Sequence, residues 1–194
     1  GNARAILTAE RLVLNCMQRM SGIATYTHNV MKLLKDTDCK ILDTRKTTPN
    51  ARLIEKWAVK IGGGENHRFG LFDMIMLKDN HCDFAGGIEA AVNATKQYLK
   101  ETQKNLLIEV ETRNLEEVNQ ALEVGGVHTI MLDNMDIPMM TEAVQLIGDK
   151  ATTEASGGIT LETVRNIALC GVDYISMGAL THSYKSLDMS LKAI

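Results

Sequence analysis

Short apolar segments of strand length recur along the chain, and most are separated by segments whose apolar residues repeat at helical spacing. The strand-length segments are residues 40–43, 74–78, 106–111, 129–133, 152–156 and 174–178. Strands that alternate with helices indicate parallel strands joined by right-handed crossovers. The pattern therefore predicts an α/β fold, either a doubly wound sheet or a closed barrel.

Helix signals fill most of the intervals. Two helices are predicted before the first strand, at residues 9–20 and 25–35. Asn114, with Glu117 three residues later, resembles a capping box at the start of another helix. Thr160 is predicted to cap a further helix, and Gly171 lies where a left-handed C-terminal cap is expected.

A polar or small residue lies at or next to the carboxyl end of every predicted strand. These residues are Asp43, Lys78, Glu111, Asp133, Ser156 and Gly178. In a barrel such ends converge on one mouth, whereas an open sheet spreads them along a line. We therefore predict an incomplete or irregular α/β barrel, with residues 1–194 forming a single domain.

Composition narrows the class of protein. The formal net charge of −3 excludes the broad basic surface of a nucleic-acid-binding protein, so any anion site must be local. The 4 cysteines are widely spaced, without a metal-binding pair, which favours a reduced, intracellular protein. No apolar run approaches the length of a membrane span, so we expect no membrane partner.

The segment DTRKTTP, residues 43–49, places two adjacent cations and several hydroxyls after an apolar strand. Arg45 suits a bidentate contact with a carboxylate or phosphate, and Lys46 adds a movable charge. A solvated basic turn is the alternative. A glycine-rich loop, residues 62–68, is expected to bring His67 and Arg68 toward the same mouth, or else to be a surface turn.

Lys78 ends an apolar strand, where its charge requires an anion or a carboxylate, and His81 is interpreted as orienting it. Glu109 and Glu111 share one side of the next strand because side chains alternate. With Asp133 they are candidates to bind magnesium, ribose hydroxyls or a positive sugar carbon. The alternative is a structural network of salt bridges with the cations.

Small residues end the last two strands and let backbone amides approach a ligand closely. They are Ser156, Gly157, Gly158, Gly178 and Ala179. Barrels often bind phosphate in loops after their last strands, assisted by a helix N-terminus such as the one predicted at Thr160. The sequence therefore predicts a phosphate site, with a pair of tight turns as the alternative.

Many of these motifs, in this order, resemble one family. The matching segments include residues 19–24, 43–49, 62–68, 78–81, 109–111, 132–134, 156–159 and 178–183. Over almost its whole length the chain resembles the catalytic barrel of quinolinate phosphoribosyltransferase, a type II phosphoribosyltransferase. The resemblance implies that quinolinate and phosphoribosyl pyrophosphate, with Mg²⁺, give nicotinate mononucleotide, pyrophosphate and CO2 in NAD biosynthesis.

The resemblance also implies roles for individual residues. Quinolinate would be surrounded by Thr44, Arg45, Lys46, His67, Arg68 and Lys78. Glu111 and Asp133 would hold ribose and magnesium, directly or through water, and would be catalytic together with Lys46. The 5′-phosphate would lie against Ser156, Gly157, Gly158, Gly178 and Ala179.

Two departures from the family pattern are expected to matter. The chain corresponds to the barrel without the family's N-terminal domain, which by resemblance supplies an arginine to the neighbouring subunit's site. Asn50 also replaces a glycine after the DTRKTTP segment. By resemblance we expect a cytoplasmic homodimer; the alternatives are a phosphoribosyltransferase for another heterocycle and an inactive ligand-binding fragment.

Overall fold

The computed structural model describes residues 1–192 and has six parallel strands surrounded by helices. The strands are β1 (Lys40–Leu42), β2 (Ile75–Leu77), β3 (Ile108–Thr112), β4 (Thr129–Asp133), β5 (Thr152–Ser156) and β6 (Tyr174–Ser176). The helices are α1 (Ala3–Leu33), α2 (Arg52–Ile61), α3 (Asp79–Ala85), α4 (Ile88–Glu101), α5 (Leu115–Val124), α6 (Ile137–Ile147), α7 (Val164–Ala168) and α8 (Ala179–His182). Each of the six predicted strand segments overlaps an observed strand.

The order of the strands is that of a barrel. They are hydrogen-bonded in the sequence β1-β6-β5-β4-β3-β2, so the last strand pairs with the first and neighbours in the chain are otherwise neighbours in space. β1 and β2 follow each other in the chain but do not pair, so the barrel is open between these two strands. Glu65 forms an isolated bridge with Leu42 beside the free edge of β1. The predicted incomplete α/β barrel is confirmed.

The apolar core lies between the strands and the helices. Val110, Ile130 and Ala155 are fully buried and belong to this core. Because side chains alternate along a strand, their neighbours Glu109 and Glu154 lie on the opposite face, toward the barrel interior, and are also buried. The fold thus keeps apolar packing outside the barrel and places polar groups within it.

The chain before β1 forms one continuous helix, α1, so the prediction of two helices is wrong. The glycine near the predicted break is used for packing instead. A Cβ at Gly22 would lie 2.3 Å from the carbonyl oxygen of Lys185, so a larger residue would displace the C-terminal segment. The helix therefore remains unbroken while the C-terminal segment passes close to it.

The three predicted helix caps have different outcomes. The Asn114 side chain accepts the N–H of Glu117 at 2.9 Å, as predicted, but the Glu117 carboxylate accepts from Arg113 and does not complete the box. The helix predicted from Thr160 begins at Val164, because residues 161–163 form a turn in which Thr160 accepts the Glu162 N–H. Gly171 has the expected positive φ of 89°.

No helix within residues 1–192 combines the length and the apolar character needed to cross a membrane.

Candidate active site

The carboxyl ends of the strands surround a cavity of about 980 Å³. All the residues predicted to bind substrate, phosphate or metal line it: Thr44, Arg45, Lys46, His67, Arg68, Lys78, Glu111, Asp133, Ser156, Gly157, Gly158, Gly178 and Ala179. Residues from every strand end or from the loop that follows it therefore meet at one place. Their chemical roles are inferred from the surroundings of each side chain.

One side of the cavity, which we call the cation wall, consists of Arg45, Lys46 and Arg68. Within the described chain none of these three side chains forms a salt bridge with a carboxylate. Burial lowers the pKa of Arg68, and the positive charge of Arg45 lowers it further. Like charges that crowd a cavity without partners make it a site for an anion.

A buried ion pair supports the cation wall from below. Asp43 follows β1, is fully buried, and contacts the ammonium of Lys56, which is 3 % exposed. The other carboxylate oxygen of Asp43 accepts from Asn66 at 2.5 Å, and the His67 N–H donates to Asp43 at 2.9 Å. Burial raises the pKa of Asp43, although these hydrogen bonds oppose the shift. The pair ties the loop at His67 to the end of β1.

Local hydrogen bonds shape the segment that carries the cations. The Thr44 hydroxyl accepts the Lys46 N–H at 3.1 Å, so it already takes part in the turn. Arg52 donates to the Thr47 hydroxyl at 3.0 Å and to the Phe69 carbonyl at 2.9 Å. Asn50 has a φ of 62°, a left-handed conformation that asparagine adopts more readily than most residues. The replacement of glycine at this position is therefore compatible with the turn.

Lys78 contacts the carboxylate of Glu111 on the adjacent strand. Glu111 is therefore the carboxylate that the sequence requires beside Lys78. For Glu111 itself, the contact agrees with the alternative prediction of a structural salt bridge. His81 accepts the Lys78 backbone N–H through Nδ1 at 3.0 Å at the start of α3. His81 thus holds the backbone of Lys78 rather than its ammonium.

Asp133 lies at the end of β4, beside Asn134. The Asn134 amide donates to one Asp133 oxygen at 2.7 Å, which leaves the other oxygen available. Together with Glu111, this carboxylate presents hard oxygen ligands to the cavity.

The floor of the cavity contains a buried cluster of His67, Glu109 and Glu154. His67 Nε2 lies 3.0 Å from Glu109 Oε2 and 3.3 Å from Glu154 Oε2. Burial lowers the pKa of His67, but the hydrogen bonds and charges of the two glutamates raise it by more, to about 9. Burial raises the pKa of Glu109. His67 was predicted to contact quinolinate, yet its ring nitrogens already contact protein groups.

A second group of cavity-lining residues, which we call the glycine wall, consists of Ser156, Gly157, Gly158, Gly178 and Ala179. It adjoins the cation wall, since a Cβ at Gly178 would lie 3.0 Å from Lys46 Cδ. A Cβ at Gly157 would lie 2.2 Å from Asn134 Oδ1, and its φ of 98° also requires glycine. Within residues 1–192 no protein group accepts the N–H of Gly157 or Gly158. These donors are available to an anion, although the nearby helix begins four residues after Thr160, contrary to prediction.

Sequence reasoning missed two residues of the site. Glu154 lines the cavity from the middle of β5, where only the alternation of side chains signals an inward direction. His182 lies at the end of the motif after β6 and lines both the main cavity and a neighbouring one of about 410 Å³. His182 belongs to the segment 178–183 that matches the family, but only Gly178 and Ala179 of that segment were given a role.

Comparisons with known proteins agree with this geometry. The family model described as "Quinolinate phosphoribosyl transferase, C-terminal domain" matches residues 23–192. The chain is 54% identical to a carboxylating nicotinate-nucleotide pyrophosphorylase of Arabidopsis thaliana, with 99% of the chain and 59% of that protein covered. A probable enzyme of the same name from Bacillus subtilis is 47% identical, with 98% and 65% covered.

Solved structures give the same result. The crystal structure of NadC from Streptococcus pyogenes has a TM-score of 0.93 and 44% identity, and the match covers 100% of this chain and 66% of that one. The chain spans about three fifths of the length of the curated plant relatives. A family model over most of the chain and a matching fold lead to one conclusion: the chain belongs to the quinolinate phosphoribosyl transferase family, in the part that forms its C-terminal domain.

Proposed function

We propose that this chain carries the site at which quinolinate and phosphoribosyl pyrophosphate become nicotinate mononucleotide, pyrophosphate and CO2. The observation that carries the proposal is a single cavity lined by the cation wall, whose three cations have no carboxylate partner within residues 1–192, and by the glycine wall. A pyridine dicarboxylate neutralises the first, and a ribose phosphate fits the second. A monocarboxylate would leave much of the cation wall unpaired, which disfavours nicotinate as the substrate.

In the transfer step, the pyridine nitrogen attacks the sugar carbon as the bond to pyrophosphate breaks. The sugar carbon becomes positively charged in the transition state, so carboxylates at this point lower the barrier. Glu111 and Asp133 are the carboxylates at the strand ends that line the cavity. Lys46, which has no carboxylate partner within residues 1–192 and lines the cavity, would stabilise the departing charge.

In the second step, the carboxylate next to the ring nitrogen leaves as CO2. Its bonding electrons remain on the ring carbon beside the pyridinium nitrogen, and that carbon then takes up a proton. The protein mainly has to hold the ring in place. Arg45, Arg68 and Lys78 provide the contacts for the two carboxylates, and Thr44 borders the same part of the cavity.

Mg²⁺ belongs to the same proposal. The free oxygen of Asp133 and the carboxylate of Glu111 are hard oxygen ligands, which fit this ion. Mg²⁺ usually keeps several waters and binds through substrate phosphates, so these residues would hold it directly or through water. When bound, it neutralises the charge of the pyrophosphate group.

Assembly and location are also proposals. Leu53, Trp57 and Ile61 are 60–70 % exposed on α2, and such an apolar face supports a homodimer. All four cysteines are free thiols, which fits a reducing compartment such as the cytoplasm. The names of two plant relatives contain "chloroplastic" and "mitochondrial", so a location in an organelle is the alternative.

The release of CO2 from carboxyl-labelled quinolinate, with phosphoribosyl pyrophosphate and Mg²⁺, tests the proposal. We expect release by this chain or by the same chain preceded by the N-terminal domain of the Bacillus subtilis relative. Lys46→Ala and Glu111→Ala should each lower the rate by about 10- to 100-fold, the value of a charged contact. Exposed Glu116→Ala is the control and should retain the parental rate.

Release only by the extended chain would mean that the barrel holds the chemistry but not the whole site. No release by either form would contradict the proposal and favour a different heterocycle or a ligand-binding role. Full rates in both variants of an active parent would leave the reaction in place but reject the assigned residues.

A further inference from the structure

The cluster on the cavity floor is not used by the chemistry proposed above. The side chains of His67, Glu109 and Glu154 are 6 %, 1 % and 2 % exposed. Glu109 and Glu154 each direct one oxygen at His67, and the other oxygen, Oε1, is buried without a hydrogen-bond partner within residues 1–192. Two neighbouring buried carboxylates with unpaired oxygens lower the stability of a fold, so their presence here indicates a role other than stability.

The orientation of the His67 ring shows what the cluster holds. Nδ1 accepts the backbone N–H of Arg68 at 2.7 Å. A ring nitrogen that accepts a hydrogen bond carries no proton, so the ring proton lies on Nε2 and is donated to the glutamates. The two glutamates raise the pKa of His67 and burial raises the pKa of Glu109, so the three interacting groups together keep one additional proton. Because Nδ1 accepts a hydrogen bond, that proton lies on a carboxyl oxygen and the ring stays neutral.

The same orientation argues against a metal site. The ligand atoms of the three residues lie within 4.8 Å of one another, a spacing that a cation could bridge. However, a histidine that binds a metal through Nε2 needs a lone pair there and usually donates from Nδ1. Here Nδ1 accepts and Nε2 donates, which is the reverse.

The contacts of the cluster lead to Arg68. The guanidinium of Arg68 faces the cavity and donates only to the Met74 carbonyl at 3.3 Å and to Met76 Sδ at 3.4 Å within the described residues. Such weak contacts do not fix a long side chain, so its position depends on its backbone. That backbone is held by His67, whose ring is held by the two glutamates.

We propose that Glu154 is a positioning residue for the dicarboxylate substrate, acting through the His67 ring on the backbone of Arg68. This inference rests on the proposed function, because that function supplies the substrate for Arg68. Glu154 isolates the effect better than Glu109 does, since Glu109 also attracts Arg68 directly through its charge. Glu154 lies on β5, an inner strand of the sheet, so its backbone is fixed and it holds the His67 ring in one place.

Steady-state kinetics on the form that releases CO2 provide the first test. Glu154→Ala should raise KM for quinolinate about tenfold, the effect of one lost hydrogen bond to a charged group, with kcat and KM for phosphoribosyl pyrophosphate within about twofold. Glu154→Gln should restore KM, because its amide oxygen still accepts from His67 Nε2. Glu116→Ala is the control with an exposed carboxylate.

An equal rise in KM for both substrates would show a general structural role and overturn the proposal. So would a Gln variant no better than the Ala variant.

Nuclear magnetic resonance of the chain without ligand provides a second test that needs no turnover. The ¹⁵N shifts of His67 should show a neutral ring protonated at Nε2. Hydrogen exchange of the Arg68 amide should be slow in the parent and Glu154→Gln, and about tenfold faster in Glu154→Ala. A ring protonated at Nδ1, or stoichiometric Zn²⁺ binding that Glu154→Ala abolishes, would contradict the proposal.

The two tests separate the inference from the function on which it rests. The expected resonance signals in a protein that neither binds nor turns over quinolinate would reject the proposed function and, with it, the substrate assigned to Arg68. Turnover without the expected signals would reject only the role of Glu154.

Discussion

The cation wall and the glycine wall of the cavity both suit anions, but they do so by different means. The cation wall carries its charge on long side chains, and Arg45 and Lys46 stand on a loop after an edge strand of the sheet. The glycine wall carries no charge, and the two donors established there, the backbone N–H groups of Gly157 and Gly158, follow β5, an inner strand. One wall supplies charge and the other supplies fixed geometry.

The groups that hold the two walls in place also differ in charge. Below the cation wall lie buried ionisable groups, the Asp43–Lys56 pair and the cluster around His67. Beside the glycine wall lies a neutral amide, Asn134, whose own N–H donates to the Ser156 carbonyl at 2.9 Å. Side-chain cations adapt to a flat dicarboxylate, whereas a cradle of backbone amides suits a phosphate of constant shape. The comparison predicts that damage to each wall affects a different substrate.

Removal of charge from the cation wall should have the largest effect. Arg45→Ala combined with Arg68→Ala removes two charged contacts of about 2 kcal/mol each, so kcat/KM for quinolinate should fall about 1,000-fold. Calorimetry should show that the parent binds quinolinate more tightly than nicotinate, and that the double variant does not discriminate between them.

Phosphoribosyl pyrophosphate provides the internal control for that variant. Its affinity should fall less, because its 5′-phosphate lies on the glycine wall in the proposed arrangement. Equal affinities of the parent for quinolinate and nicotinate would break the comparison, since the cation wall would then not select a dicarboxylate.

A methyl group on the glycine wall should have the second largest effect, and the chain offers a matched pair of positions. Gly157→Ala meets Asn134 Oδ1 and forces an unfavourable φ, so KM for phosphoribosyl pyrophosphate should rise about 100-fold. Gly158→Ala meets nothing within 4 Å and has a φ of 57°, which other residues tolerate at lower cost. Its effect should stay within about tenfold.

Similar kinetics for the two alanine variants would mean that the approach of the backbone to Asn134 does not shape the phosphate site. Circular dichroism at the assay temperature should confirm that both variants are folded.

The two walls also differ in how far the sequence predicted them. Arg45, Lys46 and the glycines were recognisable because strand ends of a parallel barrel meet at one mouth. The cluster of His67 and Glu154 was not recognised, since it depends on which residues face each other across the interior, and that is set by strand tilt and register. The predictions at Thr160 and of two helices before β1 were wrong for other reasons: local hydrogen bonds form a turn after Thr160 and delay the helix, while α1 continues through Gly22, which packs against the Lys185 carbonyl.

Lys78 and Glu111 provide the smallest predicted effect and sharpen the comparison, because their ion pair belongs to neither wall. Lys78→Met removes one cation but also leaves the Glu111 carboxylate without its partner, so KM for both substrates should rise about tenfold. Adding Glu111→Gln should partly restore KM for quinolinate, because the uncompensated negative charge is gone, while kcat falls through loss of the carboxylate. Steady-state kinetics of the two single variants and the double variant measure this coupling. If Lys78→Met raised KM for quinolinate alone and the second change restored nothing, Lys78 would be a fourth member of the cation wall rather than the partner of Glu111.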